Sequence, residues 1–392
     1  MSKNFYLDFS VIDSIKDPYK HNSQSIMSLS GKNIGNFAFR HALKYLTSID
    51  GFSPLTYSLC NQALDSGDNP GKVIMSCANW IGANPALEAS NEVRAKLIER
   101  FDCPVVAFGL GVQAASGAES IELGPNTIRL VKCISERSQK ISVRDNLTRD
   151  VFAKLGVHNV TVTGCPSNFI NPNPNLGAEI YASAEQLVRK PLSWKTLRTH
   201  ISEFSGGNQS SGTVLNNSLK IMREGAAFYV LQSPVLLPLV LREDDTIPSA
   251  YASNAPEGSK TPEQLLSLLK SKVMHFTGME SWMDFARTCD LSIGMRIHGN
   301  MVPLQTGVPS VVISHDSRTE GLSSFMGIPS ITAKEFESTL ADGPQQILRK
   351  CMKGIQNYDN RRRELAETWR TFLTDTNMPI GVSVKQIIAD QS

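Results

Sequence analysis

The sequence predicts an α/β protein whose two domains are each built on a parallel β-sheet. The chain has 392 residues, which is enough for two domains or three. Short apolar runs rich in Val and Ile alternate with longer helical patterns along most of it. The runs are continuously apolar, as in strands covered on both faces, and their alternation with helices indicates βαβ units.

The first half of the chain shows this alternation clearly and gives the predicted N-terminal domain, residues 1–175. Its Gly156 marks a helix end, because glycine commonly terminates helices. The predicted elements are, in order, strand 72–77, helix 88–101, strand 104–108, helix 121–138, strand 140–143, helix 145–155 and strand 159–163.

Two loop-like stretches follow, one rich in Asn and Pro at 166–177 and one rich in Gly and Ser at 205–212. The pattern between them, 182–204, predicts a helix, so residues 176–212 are interpreted as a linker and helical segment. The C-terminal domain is then 213–392. Its predicted elements are strand 227–231, helix 262–271, strand 272–276, helix 281–288, strand 290–293, helix 297–306, strand 310–313 and a closing helix 360–372.

Composition excludes several classes of protein. Lys and Arg total 39 against 37 Asp and Glu, and this balance argues against a nucleic-acid partner. Seven scattered Cys residues form no Cys-x-x-Cys pair, which argues against a metal site and predicts buried, reduced thiols. The most apolar window, 228–241, is too short to span a bilayer, and the N-terminal residues do not resemble a signal peptide. We expect a cytoplasmic protein with no integral membrane segment.

Candidate site residues stand where strands give way to helices, because ligands of open α/β sheets bind beyond the carboxyl ends of the strands. The first candidate is the turn Asn33-Ile34-Gly35-Asn36, which leads into a helical pattern. Two interpretations stay open. The turn could present backbone N–H groups to an anion, or Asn36 could simply cap the helix.

Arg144 ends a predicted strand, and Asp145 begins the next helix as its N-cap. The guanidinium fork of an arginine suits a carboxylate or a phosphate. Arg144 is therefore either a ligand-binding cation or the partner of a nearby acid. Both interpretations are open.

The strongest candidate is the turn Gly294-Met295-Arg296-Ile297-His298, between an apolar strand and a helix. The N-terminus of a helix favours anions, so Arg296 and His298 predict a site for a phosphorylated substrate. The next strand ends in Ser314-His315-Asp316-Ser317-Arg318. There Arg318 could reach the same crevice, and His315 and Asp316 could support it or cap the following helix.

In order and spacing, these segments resemble the polysaccharide pyruvyltransferase family. The family pattern has an Asn-x-Gly-Asp/Asn turn, a Ser-Val-Arg-Asp strand end, Thr-Gly-Asp-Pro, Met-Arg-x-His, Gly-Val-Pro and Asp-x-Lys/Arg. The corresponding segments here are 33–36, 142–145, 163–166, 295–298, 307–309 and 316–318. Cys165 departs from the pattern, since the family commonly has Asp there.

The resemblance implies two Rossmann-like domains that face each other across a cleft, similar to B-type glycosyltransferases. It also implies transfer of a pyruvyl group from phosphoenolpyruvate to hydroxyls of a sugar or polysaccharide acceptor, with no further cofactor. By this resemblance Arg144, Arg296 and His298 hold phosphoenolpyruvate, clamped across the cleft, and Arg318 stands where the family often has Lys. Whether the acceptor is lipid-linked is left open.

Ketal formation requires a proton for the methylene carbon of the donor and stabilisation of the departing phosphate. His298 is the expected proton-transfer group, because the unperturbed pKa of histidine lies near neutrality. Arg296 and Arg318 are expected to stabilise the phosphate. Two alternatives remain: a B-type glycosyltransferase that uses a nucleotide sugar, and a catalytically degenerate family member that binds glycans.

Overall fold

The computed structural model describes residues 3–8, 11–113, 121–206, 209–340 and 342–389. The chain forms two compact units, each discontinuous in sequence. Unit 1 comprises Met1–Ile12, Phe39–Pro174 and Arg362–Ser392, and unit 2 comprises Asp13–Ala38 and Asn175–Arg361.

Unit 1 is built on parallel strands. Where the structure describes it, they form a four-stranded sheet in the order β2-β1-β3-β5 and two pairs, β4-β6 and β7-β8. A bridge between Leu110 and Val143 joins β7 to the segment that follows β5. The strands are β1 (Asn4–Asp8), β2 (Phe52–Thr56), β3 (Val73–Ser76), β4 (Ile81–Gly82), β5 (Val105–Phe108), β6 (Val112–Gln113), β7 (Ile141–Val143) and β8 (Val160–Val162).

Unit 2 has a parallel sheet of six strands within the described residues, in the order β11-β10-β9-β12-β13-β14. Numbered from β9, this is the doubly-wound order 3-2-1-4-5-6, whose strand order reverses between β9 and β12. The prediction of an α/β fold with parallel sheets is confirmed. The strands are β9 (Thr199–Ser202), β10 (Ala227–Val230), β11 (Val273–Met274), β12 (Leu291–Gly294), β13 (Ser310–Ser314) and β14 (Ser330–Thr332).

Helices connect the strands in both units. Two of them, α2 and α17, contain two of the four points where the chain passes from one unit to the other. The helices are α1 (Ser23–Ser30), α2 (Asn36–Leu46), α3 (Tyr57–Asp65), α4 (Pro85–Ile98), α5 (Pro125–Arg137), α6 (Asn146–Lys154), α7 (Leu176–Val188), α8 (Gln209–Glu224), α9 (Leu237–Val240), α10 (Ser249–Ser253), α11 (Pro262–Lys272), α12 (Met279–Ala286), α13 (Ile297–Gln305), α14 (Ser317–Met326), α15 (Ala333–Leu340), α16 (Pro344–Ile355), α17 (Tyr358–Asp375) and α18 (Val382–Ala389).

The helix predicted over 182–204 is wrong in its second half. The helix α7 ends at Val188, and Thr199–Ser202 is β9, a central strand of the sheet of unit 2. The strand escaped prediction because Thr, His and Ser interrupt its apolar character, although all four of its residues are buried. The closing helix is also followed by a further helix, α18.

The two units divide the chain differently from the predicted domains 1–175 and 213–392. Asp13–Ala38 belongs to unit 2, where the N–H of Ile34 donates to the carbonyl of Gln232 at 2.9 Å. Arg362–Ser392 belongs to unit 1, where the buried guanidinium of Arg362 donates to the backbone carbonyls of Asn168, Asn171 and Asn173. Both assignments depend on contacts between residues far apart in sequence, which periodicity does not report.

All seven cysteines are free thiols, and only Cys103 is partly exposed. Burial raises the pKa of Cys60 to about 11 and that of Cys351 to about 12, so these thiols stay protonated at neutral pH. Among the described residues, no helix is both long enough and apolar enough to cross a membrane.

Candidate functional site

The carboxyl edge of the sheet of unit 2 brings polar side chains together from three neighbouring strands. Gln232 follows β10, Glu203 follows β9, and Arg296 and His298 follow β12. The reversal of strand order between β9 and β12 is where doubly-wound sheets bind ligands. Arg296 and His298, chosen from sequence, lie at this position. Glu203 and Gln232 were missed.

Arg296 caps the N-terminus of α13 with extended backbone, and its side chain is 31% exposed. Its Nε atom lies 3.7 Å from Oε2 of Glu203, whose side chain is only 1% exposed. Glu203 also accepts hydrogen bonds from the N–H groups of Gln232 and Ser233 and from the Ser233 hydroxyl, at 2.6–3.0 Å. The carboxylate is thus held by the backbone, and it balances part of the charge of Arg296.

His298 is the second residue of α13 and is 8% exposed. The turn at Gly35 packs directly against it. A Cβ on Gly35 would lie 3.2 Å from Cβ of His298 and would overlap the side-chain oxygen of Gln232. Gly299 faces the same amide, with its Cβ position 2.5 Å from Nε2 of Gln232. A side chain at either position would have to displace the Gln232 amide, and at Gly299 it would also overlap Cβ of Ser202.

Three backbone N–H groups of the turn at 33–36 already donate within the protein. The N–H of Ile34 donates to Gln232, that of Gly35 to the side chain of Asn33 and that of Asn36 to the carbonyl of Asn33. The Asn36 amide donates to the carbonyls of Ser30 and Gly31, which ties the start of α2 to the end of α1. Asn33, Gly35 and Asn36 therefore form the turn that packs beside His298.

Near β13, Asp316 is the N-cap of α14 and accepts the N–H of Thr319 at 2.6 Å. The Nε2 atom of His315 lies 3.5 Å from Oδ2 of Asp316. This supports the capping interpretation for Asp316 and places His315 at the strand next to β12. Arg318 is the second residue of α14, and its side chain lies outside the described residues.

Arg144 lies in unit 1, directly after β7, and is 4% exposed. Its Nη2 donates to the carbonyl of Cys77 at 3.2 Å, and its guanidinium stands 5.1 Å from the centre of the Phe39 ring. Within the described part of the chain its Nε has no hydrogen-bond partner and it forms no ion pair. Asp145 caps α6 by accepting the N–H of Thr148 at 2.7 Å, as predicted.

Glycines leave room for the Arg144 side chain. A Cβ on Gly111 would lie 3.3 Å from Cδ of Arg144, and one on Gly109 would lie 3.6 Å from its Nε. The Gly109 position is also 3.1 Å from the ring of Pro166, which follows the buried Cys165. Cys165 accepts a hydrogen bond from the Ser167 hydroxyl at 3.2 Å. Pro166, the residue after Cys165, and the Arg144 side chain thus both lie close to Gly109.

Sequence comparison identifies the family. The family model described as polysaccharide pyruvyl transferase matches residues 33–317, which include Arg144, Arg296 and His298. The chain belongs to the polysaccharide pyruvyl transferase family. The resemblance found from the motifs is confirmed. No curated protein matches the chain by sequence.

Several solved structures are similar to this pyruvyl transferase family member over most of its length. Anabaena Alr3699/HepE in complex with UDP and glucose has 12% identity and a TM-score of 0.47, covering 95% of this chain and 99% of its own. The Staphylococcus aureus MnaA–UDP structure has 9% identity and a TM-score of 0.45, covering 95% and 98%. The UDP-GlcNAc 2-epimerase of Neisseria meningitidis, bound to UDP-GlcNAc, has 12% identity and a TM-score of 0.39, covering 93% and 99%.

Proposed function

We propose that the protein transfers the pyruvyl group of phosphoenolpyruvate to two hydroxyls of a sugar or polysaccharide acceptor, forming a pyruvate ketal and releasing phosphate. One observation carries the proposal. In a pyruvyl transferase family member, Arg296 and His298 stand together at the N-terminus of α13, where the strand order of the sheet reverses.

This position suits an anionic donor for two reasons. The first N–H groups of a helix and its dipole favour negative charge, and the fork of Arg296 can bind two phosphate oxygens. The buried Glu203 carboxylate lies 3.7 Å from Nε of Arg296, which has no hydrogen-bond partner among the described residues, and the Arg296 side chain is partly exposed to a ligand. The donor carries both a carboxylate and a phosphate, so we expect a second cation to bind it. In the proposal this second cation is Arg144.

The reaction assigns a separate task to each side chain. His298 delivers a proton to the methylene carbon, which becomes the methyl group of the product. One acceptor hydroxyl attacks the adjacent carbon and gives its proton to the now neutral His298, and the bond from that carbon to the phosphate oxygen then breaks. The second hydroxyl attacks the same carbon, its proton passes to the released phosphate, and the ketal closes. Arg296 stabilises the charge on the departing phosphate.

The experiment is a phosphate-release assay with phosphoenolpyruvate and a panel of acceptor sugars, with the ketal methyl group detected by NMR. We expect donor- and acceptor-dependent release, which His298→Gln reduces about 10²- to 10⁴-fold, the usual contribution of a general acid or base. His158→Gln, at an exposed position of unit 1, is the matched control and should keep wild-type activity.

Release of phosphate at the wild-type rate by His298→Gln would contradict the role of this residue. Transfer from a nucleotide sugar, together with thermal stabilisation by a nucleoside diphosphate and none by phosphoenolpyruvate, would instead establish a glycosyltransferase.

A further inference from the structure

A chain of buried hydrogen bonds runs through unit 2 to the turn that carries Arg296. Its four side chains are fully buried and come from four different elements, α12, β9, β12 and α13. The links are Trp282 Nε1 to His200 Nε2 (3.1 Å), His200 Nδ1 to Ser292 Oγ (3.1 Å), Ser292 Oγ to Asn300 Oδ1 (3.1 Å), and Asn300 Nδ2 to the carbonyls of Gly294 (2.9 Å) and Arg296 (3.0 Å).

The chemistry of the first residue fixes the direction of the chain. An indole N–H can only donate, so Nε2 of His200 must accept from Trp282 and carries no proton. The proton of the neutral ring is then on Nδ1, which donates to Ser292. The Ser292 hydroxyl is left to donate to Asn300. Burial lowers the pKa of His200 to about 3, so the ring is neutral at physiological pH.

The other end of the chain requires the same direction. Backbone carbonyls only accept, so the amide nitrogen of Asn300 must face Gly294 and Arg296. Its oxygen therefore faces Ser292 and needs a donor there. The same nitrogen lies 2.9 Å from the Ser202 hydroxyl, at the end of β9. Both ends thus specify one tautomer of His200 and one orientation of the Asn300 amide.

We propose that His200 is a positioning residue of the transferase site: as the neutral Nδ1–H tautomer it holds Asn300, which sets the backbone from Gly294 to Arg296 and thereby the places of the Arg296 and His298 side chains. The inference rests on the proposed function for its effect on catalysis. The tautomer and its effect on the turn do not depend on that function.

The first test is a ¹⁵N NMR spectrum of the histidine side chains, with His200 assigned from the signal lost in His200→Gln. We expect the Nδ1–H tautomer, unchanged between pH 5 and pH 8. An Nε2–H tautomer, or titration of His200 within that range, would overturn the proposal. This measurement needs no substrate.

The second test compares two buried tryptophans. Trp282→Phe removes the donor to His200, whereas Trp369→Phe removes an indole N–H that has no hydrogen-bond partner among the described residues. We expect Trp282→Phe to reduce kcat about 10- to 100-fold, as when a catalytic group is misplaced by roughly 1 Å, and to alter the pH titration of His298. Trp369→Phe should leave both unchanged. Equal kcat in the two folded variants would overturn the proposal.

A third pair tests the middle of the chain. Ser292→Ala breaks it, and Ser292→Thr keeps a hydroxyl at the same place. We expect Ser292→Ala to reduce kcat like Trp282→Phe, and Ser292→Thr to restore most of it. If the wild-type protein shows no phosphate release, the proposed function fails, while the tautomer and the His298 titration still decide the positioning role.

Discussion

Arg144 and Arg296 both follow a buried parallel strand, one in each unit, yet their charges are held differently. Arg296 is partly exposed and has the buried carboxylate of Glu203 at 3.7 Å. Arg144 is almost completely buried, and its Nη2 donates to the neutral carbonyl of Cys77. A buried charge without a counter-charge is costly, so we expect a bound anion to stabilise Arg144 more than Arg296. Removal of the positive charge should therefore lower the thermal stability of the protein at Arg296 but not at Arg144.

Of the two arginines, Arg296 is expected to show the larger effect. Arg296→Met removes the proposed leaving-group cation and leaves the buried Glu203 carboxylate without the nearby positive charge. We expect kcat to fall about 10²- to 10³-fold, as when one transition-state donor is removed, and the thermal midpoint to fall as well. Arg296→Lys, which keeps the charge without the fork, should retain the midpoint and recover only part of kcat. A wild-type kcat in Arg296→Met would contradict the proposed role of Arg296 in the site.

A smaller effect, of opposite sign on stability, is expected at Arg144. Arg144→Met should raise the KM for phosphoenolpyruvate about 10- to 100-fold, because a hydrogen bond to a charged group contributes about 1.5–3 kcal/mol. The ligand-free protein should keep or increase its thermal midpoint, since no ion pair is lost. Steady-state kinetics and thermal unfolding measure the two quantities.

Arg362→Met is the matched control for Arg144. Arg362 is equally buried in unit 1, but backbone carbonyls of the 168–173 segment occupy its donors. Its loss should lower the thermal midpoint without changing the KM of the enzyme that remains folded. If Arg144→Met behaves like Arg362→Met, Arg144 is structural.

A further effect, on stability alone, concerns acid unfolding. Because the folded-state pKa of His200 is about 3 and the unfolded value is near 6.5, the unfolded state binds a proton first as the pH falls. The contribution of neutral His200 to the free energy of unfolding is constant above pH 6.5. It is lost between about pH 6.5 and 3, by about 1.4 kcal/mol per pH unit. Unfolding curves from pH 7 to pH 4 should show a shallower loss in His200→Gln than in the wild-type protein. Parallel curves would contradict a buried neutral His200.

The site could be predicted from sequence where its residues follow apolar strands. The strands β12 and β13 are recognisable, so Arg296, His298 and His315 were found at their ends. The strand β9 was not, because its polar side chains are buried against each other: His200 pairs with Trp282 and Ser292, more than 80 residues further along the chain. Because β9 was not predicted, Glu203, which follows it directly, was not recognised either. Burial of polar groups depends on partners that local periodicity cannot identify.

The turn at 33–36 shows the same limit in another form. Its glycine-rich pattern correctly indicated a turn into a helix, and its resemblance to the family was informative. Its neighbours were not predictable, because the contact of Gly35 with Gln232 and His298 joins residues about 200 and 260 positions apart. The sequence therefore placed the turn in the N-terminal domain, whereas it forms part of unit 2.

The interleaved arrangement of the two units constrains the order in which they can be completed during synthesis. Asp13–Ala38 leaves the ribosome long before β9 to β14, so the turn beside His298 has to wait for the rest of unit 2. The 168–173 segment of unit 1 in turn lacks the contacts of Arg362 until all of unit 2 has been translated. At about 5–20 residues per second, each early segment stays without its partners for many seconds. Neither unit can therefore complete its folding before residues of the other unit have been synthesised.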